Sequence, residues 1–185
     1  MIPNVKKAII CSLKASLLDT PLGPMIAIAS EAELYLLDFL DRRGFEREIE
    51  RLRQRTKAVV LPGETAPIQS IRAELEAYFS GQLTQFKTPL CLLGSPFQQQ
   101  VWRALQSIPF GGAWSYRELA VNIGRPLSCR AVANANGANP LSIVIPCHRV
   151  INTGGALGGY GGGVARKQWL LNHELAFRQR ASNLA

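Results

Sequence analysis

The hydrophobic pattern of this chain changes near residues 94–96, and this change constrains the fold more than any other feature of the sequence. Before it, three apolar or alternating runs have the length of strands and are separated by turn signals, at residues 7–18, 25–30 and 34–40. After it, apolar residues recur at helical spacing. A chain of 185 residues can form one sizeable core or two small domains packed together. The pattern predicts an α/β domain over residues 1–92 and a mainly α domain over residues 93–185.

Two helices and a short strand complete the prediction for the N-terminal half. Residues 42–57 carry charges of both signs around apolar residues at helical spacing, which predicts a solvated amphipathic helix. Residues 67–79 predict a second helix, ended by Ser80 and Gly81. Residues 86–90 predict a short edge strand that leads into the linker.

Capping signals mark the starts of two helices in the C-terminal half. Ser95 is positioned as an N-cap, with Pro96 at the first helical position. Ser115 is followed three residues later by Glu118, the spacing of a capping box. Both signals predict that a helix begins there.

Two short helices joined by a tight turn follow in the C-terminal half. The helix that Ser115 caps ends at Gly124, and a second one over 128–136 ends at Gly137. This pattern is typical of a helix-turn-helix, with Arg130 on its second helix. Many helix pairs bind nothing, so the pattern alone leaves DNA binding open.

Charge is unevenly distributed between the two halves. Residues 1–90 carry a net charge of +1, whereas residues 91–185 carry +7 and contain only two acids, Glu118 and Glu174. An unopposed positive field attracts and holds phosphates, which favours a polyanionic partner. Simple solubility is the alternative explanation.

Cysteine usage excludes several protein classes. The four cysteines are scattered without a Cys-x-x-Cys pair, so neither a disulfide framework nor a zinc finger is expected, and we predict no metal site: Cys11, Cys91, Cys129 and Cys147. No apolar run is long enough to span a membrane, and the N-terminus is a poor signal peptide, so the expected location is cytoplasmic. A monomer is the default expectation.

The segment Ile145-Pro146-Cys147-His148-Arg149-Val150 places a thiol beside one of only two histidines. A cysteine reacts as its thiolate, and a neighbouring imidazole with an arginine close by lowers the thiol pKa. The apolar run 141–145 predicts a buried strand, after which Pro146 fixes the exit of the chain. The alternative is an ordinary core thiol, since free cysteine is often buried.

The order and spacing of three motifs resemble the O6-alkylguanine-DNA alkyltransferase family, in its bacterial type. They are Pro-Cys-His-Arg-Val at 146–150, Gly-Gly-Tyr-Gly-Gly at 158–162 and Trp-Leu-Leu-Asn-His-Glu at 169–174. The resemblance is strong over residues 97–174. It implies a ribonuclease-H-like sheet in the N-terminal domain and a winged helix-turn-helix-like C-terminal domain. Some relatives hold a structural zinc in the N-terminal half, but residues 1–96 contain two cysteines and no histidine, so we expect that site to be absent.

The resemblance also implies an activity that requires no cofactor. The resemblance implies transfer of an alkyl group from O6-alkylguanine or O4-alkylthymine in double-stranded DNA to Cys147. By resemblance, His148 acts through a water on Cys147 and Glu174 orients His148, with the logic of a catalytic triad. Tyr116 matches a tyrosine that helps rotate the nucleotide and donates a proton to the leaving guanine.

The small side chains of the helix at 128–137 allow a close approach, either to a DNA groove or to neighbouring helices. In the family this helix enters the minor groove, which implies DNA contacts for Ser128, Ala131 and Ala135. Arg130 matches an arginine finger that fills the gap left by the extruded nucleotide, because a base must leave the stack before it can react. Asn139 matches a hinge between this helix and the nucleophile.

Seven of the ten residues 154–163 are glycine, which suits a flexible loop or the close approach of backbone to a ligand. By resemblance, Tyr160, Gly161 and Gly162 line the pocket for the flipped base. Many relatives have serine where this chain has Gly161, so a hydroxyl contact at that wall is missing here.

Two other functions remain open from the residues alone. Attack of a thiolate on a carbonyl gives a thioester that water cleaves, which would make the protein a Cys-His-Glu thiol hydrolase. Attack on a saturated O-alkyl carbon gives a stable thioether, and the protein would act once. A non-catalytic protein that binds alkylated DNA is the third possibility, although such relatives lack the cysteine that Cys147 supplies.

Overall fold

The computed structural model describes residues 12–183, with side chains described up to residue 180. The N-terminal half forms a four-stranded sheet in the order β3-β2-β1-β4, made of β1 (Ser12–Leu18), β2 (Met25–Ala29), β3 (Leu34–Phe39) and β4 (Val59–Pro62). The first three strands are antiparallel neighbours, and β4 pairs parallel to β1. The three predicted strands are therefore confirmed, apart from residues 7–11, which lie outside the described residues.

Two helices accompany this sheet. They are α1 (Phe45–Thr56) and α2 (Ala66–Phe79), and both were predicted. Strand β4 was not predicted, because it is four residues long and begins almost immediately after α1. The predicted strand at 86–90 is wrong: only Leu90 bridges to Leu34.

The C-terminal half is mainly helical. Its helices are α3 (Pro96–Leu105), α4 (Tyr116–Asn122), α5 (Cys129–Gly137) and α6 (Val164–Asn183), and a 3₁₀ helix spans Cys147–Arg149. Two short strands, β5 (Trp114–Ser115) and β6 (Val150–Ile151), pair in parallel. The predicted fold class is confirmed, with an α/β sheet region followed by a mainly helical region.

Both predicted N-caps are confirmed. The Ser95 hydroxyl accepts from the Gln98 amide at 3.2 Å, and the Gln98 side chain accepts from the Ser95 amide at 2.9 Å. Ser115 and Glu118 form the same reciprocal pair. These bonds satisfy N–H groups that the first turn of a helix leaves free.

Two predictions about the C-terminal half are wrong. Residues 141–145 are buried but form a turn and not a strand, because the Ile145 amide donates back to the Leu141 carbonyl and Ile143 has a φ of 72°. A β-branched residue rarely adopts this conformation, so the turn is held by its surroundings. The apolar spacing of residues 164–174 predicts a helix that ends at Glu174, but α6 continues to Asn183, which places Glu174 in the middle of the helix.

One hydrophobic core runs through both halves of the chain. Its buried members include Phe39 and Tyr78 from the N-terminal half and Trp102, Ile145 and Leu170 from the C-terminal half. The backbone is also joined at this boundary, since the Leu37 amide donates to the Pro140 carbonyl at 2.9 Å. The sheet and the helices therefore pack as one body around the segment that leads to Cys147.

Within residues 12–183, no helix is long and apolar enough to cross a membrane. The same residues contain no group of three or more His, Cys, Asp or Glu side chains arranged to hold a metal ion.

Candidate active site

Cys147 lies at the start of the 3₁₀ helix, directly after the buried turn 141–146. Its side chain is buried, and its Sγ accepts a hydrogen bond from Asn139 Nδ2 at 3.1 Å. Asn139 also donates to the Ile145 carbonyl at 2.9 Å and accepts from the Leu141 amide at 3.0 Å. The predicted hinge residue therefore ties the turn to the end of α5 and contacts the sulfur itself, while being too buried to face solvent.

Glu174 projects from α6 into a fully polar cluster. His148 Nε2 lies 2.7 Å from Glu174 Oε1, and Arg149 binds both carboxylate oxygens, at 2.8 and 3.0 Å. The Tyr78 hydroxyl donates to Oε1 at 2.8 Å and the Gly111 amide to Oε2 at 3.1 Å. We refer to this buried group as the Glu174 cluster. It contains the His148–Glu174 pair that the resemblance implied.

Protonation follows from these contacts. Burial acts to raise the pKa of Glu174, but the hydrogen bonds and charges of His148 and Arg149 outweigh it and hold the pKa well below its ordinary value. Burial lowers the pKa of His148 despite its bond to Glu174. At neutral pH the cluster therefore contains a carboxylate and a neutral imidazole, and His148 Nδ1 has no hydrogen-bond partner within the described residues.

The thiol does not have the lowered pKa that the sequence predicted. Burial raises the pKa of Cys147, and the Asn139 hydrogen bond and the charges of Arg42 and Lys167 oppose this only in part. Arg149 is not among the opposing groups, because its guanidinium points toward Glu174. Cys147 therefore rests as a neutral thiol that must lose its proton when it reacts.

A cavity of about 330 Å³ opens above Cys147. This is the lower end of the range for small-molecule pockets. The residues that line it and bear on the chemistry are Tyr116, Asn136, Asn139, Ser142, Cys147 and Tyr160. Two further lining residues, Arg42 and Arg43, come from the loop after β3, so the N-terminal half supplies part of the wall.

Two tyrosines line this pocket. Tyr116, the first residue of α4, is half-buried, and burial beside Cys147 raises its pKa. Tyr160, in the glycine-rich loop, has a buried hydroxyl without a hydrogen-bond partner within the described residues. Gly161 also lines the pocket, whereas the expected lining by Gly162 is wrong. A Cβ added at Gly162 would clash with Phe39 at 2.9 Å.

Helix α5 presents one face to solvent and one to the core. Arg130 and Ala131 are exposed and Ser128 is half-exposed. Ala135 is 3 % exposed, and its carbonyl accepts from Trp102 Nε1 at 2.8 Å. The expected DNA contact of Ala135 is therefore wrong, since its small side chain serves close packing against α3.

Several residues of the site carried no recognisable signal in the sequence. Tyr78 and Arg42 reach it from the N-terminal half, over sequence separations of 96 and 97 residues for their contacts with Glu174 and Asn139. Lys167 is fully buried, its Nζ donates to the Val150 carbonyl at 2.5 Å, and burial lowers its pKa to about 8. The spacing of Lys167 and Glu174, two turns apart on α6, was the one pattern that could have indicated a shared inward face.

The sequence alone suggests an exposed, inert His173, but the side chain is partly buried. Its ring stacks on Trp169 at a centroid distance of 4.7 Å, and its Nε2 lies 2.9 Å from the Tyr78 carbonyl. It packs α6 against α2 and lies outside the pocket.

Comparisons with known proteins agree with this arrangement. The family described as "6-O-methylguanine DNA methyltransferase, ribonuclease-like domain" matches residues 13–92, and the family described as "6-O-methylguanine DNA methyltransferase, DNA binding domain" matches residues 96–176. A methylated-DNA–protein-cysteine methyltransferase of Salmonella typhimurium is 42% identical over 157 residues, covering 84% of this chain and 91% of the relative.

Solved structures give the same result. The crystal structure of Mycobacterium tuberculosis OGT in complex with DNA superposes with a TM-score of 0.77 at 40% identity, covering 89% of this chain and 94% of that one. The O6-methylguanine-DNA methyltransferase of the archaeon Pyrococcus kodakaraensis superposes with a TM-score of 0.66 at 25% identity, covering 88% and 98%. The chain belongs to the 6-O-methylguanine DNA methyltransferase family.

Proposed function

We propose that this protein repairs alkylated DNA by transferring an alkyl group from O6-alkylguanine, and also from O4-alkylthymine, to Cys147. The observation that carries the proposal is the position of Cys147 at the base of a pocket, next to the His148–Glu174 pair, in a chain of this family. Each molecule acts once, because the product is a thioether that water does not cleave.

The bond changes balance without a cofactor. The sulfur of Cys147 attacks the alkyl carbon, the S–C bond forms as the C–O bond breaks, and guanine leaves with the electron pair of that bond. The thiol proton moves to His148 Nδ1 through a bridging water. Since His148 is neutral and its Nε2 is bound to Glu174, its Nδ1 is the free basic position.

Tyr116 supplies a proton to the departing base. Its half-buried position in the pocket wall and the raised pKa of its hydroxyl both favour a group that keeps its proton until guanine accumulates charge. Reprotonation of Tyr116 from the imidazolium formed at His148 or from solvent completes the proton balance.

The exposed face of α5 is proposed to lie in the minor groove of the duplex. Small side chains there, at Ser128 and Ala131, let the helix backbone approach the DNA closely. Arg130 enters the stack where the damaged nucleotide has been extruded toward the pocket, which costs a few kcal/mol. The net charge of +7 over residues 91–185 supports phosphate binding by the same half.

Intact mass spectrometry after incubation with a duplex containing O6-methylguanine tests this proposal. We expect the protein to gain the mass difference between a methyl group and a hydrogen, at one site per molecule, and peptide mapping to locate it on Cys147. The Cys147→Ala variant should gain nothing yet bind undamaged duplex nearly as well as the unmodified protein.

The same experiment separates the two alternatives. A thiol hydrolase would return unmodified protein while product accumulates beyond one equivalent. A non-catalytic binder of alkylated DNA would shift the duplex in a binding assay without any mass change. Either outcome would contradict single-use transfer.

A further inference from the structure

Arg42 is the only arginine that both lines the pocket and donates to the backbone near Cys147, among residues 12–183. Its Nη1 donates to the Asn139 carbonyl at 2.8 Å and its Nη2 to the Gly137 carbonyl at 2.7 Å. Asp38 forms an ion pair with the same guanidinium, and the arginine side chain is only 10% exposed. Arg42 therefore joins the N-terminal half to the end of α5 and to the residue whose amide contacts Cys147 Sγ.

The anchor of Arg42 is itself held in place. Asp38 is buried, and its Oδ1 accepts from the Ser142 hydroxyl at 2.9 Å and from the Phe39 amide at 3.0 Å. Ser142 belongs to the turn that precedes Cys147. A guanidinium fixed by a carboxylate and two carbonyls has little freedom to move aside.

Gly161 is the position that makes room for this guanidinium. A Cβ added there would lie 2.7 Å from Arg42 Nε and 3.0 Å from its Cζ. The backbone of Gly161 is not in the left-handed region, so other residues could adopt its conformation. The constraint on this position is the neighbouring arginine and not the backbone.

We propose that Arg42 is a positioning residue for alkyl transfer, and that Gly161 is its matched partner in the pocket wall. This inference rests on the proposed function. The arginine holds Asn139 against the sulfur and places a positive charge beside the thiolate as it forms. At Gly161 the pocket wall therefore consists of backbone and of a guanidinium supplied by the N-terminal half.

The charges around the sulfur define what removal of Arg42 should change. The charged groups that act on Cys147 are the cations Arg42 and Lys167 and the carboxylate Asp38. The hydroxyls of Tyr116 and Tyr160 also interact with it, and His148 is its neighbour in the chain. Without Arg42, one cation is lost and Asp38 is left without its ion pair. Both changes disfavour the thiolate, and both matter less at a pH where the thiol ionises unaided.

Two rates should be measured as a function of pH: alkyl transfer from free O6-benzylguanine, and modification of Cys147 by iodoacetamide. Free reagents remove any effect of phosphate binding. We expect Arg42→Ala to slow both reactions about tenfold near neutral pH, with the deficit shrinking as pH rises. Arg42→Lys retains the charge but cannot bind the Asn139 and Gly137 carbonyls at the same time. It should therefore restore the pH profile of the wild-type protein but react more slowly. Arg47→Ala, which removes an exposed arginine of α1, is the matched control and should react normally.

Gly161→Ala tests the matched pair independently. In the wild-type background we expect it to slow transfer, because the new Cβ displaces an anchored guanidinium. In the Arg42→Ala background it should lower the transfer rate by less than about twofold. If the two losses multiply, or if Gly161→Ala alone reacts normally, the pairing is wrong. If Arg42→Ala lowers the rate equally at every pH, or leaves it unchanged, Arg42 does not act on the thiolate.

Two controls keep these outcomes interpretable. Thermal unfolding of each variant identifies a substitution that only destabilises the fold. If Arg42→Ala does not fold, the rates of Gly161→Ala and Arg42→Lys still test the proposal. If the unmodified protein fails to transfer any alkyl group, the proposed function is wrong. The iodoacetamide profile would still report whether Arg42 acts on Cys147.

Discussion

The two ends of the site, at Glu174 and at Cys147, have contrasting surroundings. At the Glu174 end, both carboxylate oxygens are fully bonded, by His148, Arg149, Tyr78 and the Gly111 amide. At the Cys147 end, two lining residues of the pocket each have a buried polar atom that makes no hydrogen bond within the described residues, Asn136 Oδ1 and the Tyr160 hydroxyl. His148 Nδ1, between the two ends in the chain, is also without a partner there.

The two ends of the site therefore have different roles. A buried polar atom without a partner costs about 1–3 kcal/mol, so its presence has to be offset elsewhere. The Glu174 cluster is complete before any substrate arrives and fixes the imidazole. The Cys147 end keeps unpaired groups where a substrate or a bridging water would bond, which is typical of a site that is completed only on binding.

Glu174→Gln should have the largest effect, because it disrupts the fully hydrogen-bonded Glu174 cluster. It leaves the buried charge of Arg149 unpaired, and we expect the free energy of unfolding to fall by about 3–5 kcal/mol. Chemical denaturation measures this loss. Glu118→Gln is the control, since it changes the other acid of this half and glutamine also serves in a capping box. Equal stability of the two variants would show that the cluster does not hold the fold.

A matched pair of tyrosine substitutions compares the two ends directly. Tyr78→Phe removes a hydroxyl that donates to Glu174 and should cost about 1.5–3 kcal/mol, the range for hydrogen bonds to charged groups. Tyr160→Phe removes a buried hydroxyl without a partner and should leave stability unchanged or raise it. Denaturant titration of both variants measures the difference. A larger loss at Tyr160 than at Tyr78 would reverse our comparison.

Arg130→Ala should leave both ends of the site intact. Since Arg130 lies on the exposed face of α5, we expect repair of O6-methylguanine in duplex DNA to slow roughly tenfold or more, with single-stranded DNA less affected and the free base unaffected. Single-turnover rates on the three substrates test this, with binding measured separately and Arg103→Ala as an exposed-arginine control. An equal loss on duplex and free base would place Arg130 in the pocket chemistry or in folding.

The pH dependence of stability should show the smallest effect. The lowered pKa of His148 means that the unfolded chain binds the proton more readily, so stability falls as pH drops below 6.5. The raised pKa of Cys147 acts in the opposite direction, so its contribution is lost as pH rises above 9.0. Each group contributes less than about 1.4 kcal/mol per pH unit. Cys147→Ala should remove its part of the alkaline decline, and an unchanged profile would argue against a raised thiol pKa.

Features set by a few neighbouring residues were predictable from the sequence. The capping boxes at Ser95 and Ser115 depend on contacts three residues apart, and both were identified. The turn at 141–146 was not, because an apolar run buried on all sides has the same composition whether it is a strand or a turn. Burial raises the pKa of Cys147, whereas the sequence predicts that it is lowered. No local sequence pattern indicates how deeply a side chain is buried.

Contacts across the chain were the least predictable part of the site. The scarcity of acids in the basic half distinguishes Glu174, but the sequence pattern does not show that the helix continues beyond it to Asn183. Nothing near Tyr78 or Arg42 in the sequence indicates that their side chains reach Glu174 and Asn139. Such residues are identified only once packing brings the two halves together.

The core that runs through both halves has a thermodynamic consequence. Because Phe39 and Tyr78 are buried in the same cluster as Trp102 and Ile145, neither half can lose its structure while the other retains its full buried surface. The two family regions should therefore melt in a single cooperative transition. The reactivity of Cys147 then becomes a reporter of folding anywhere in the molecule, including in a sheet that contributes no atom to the bond that is made.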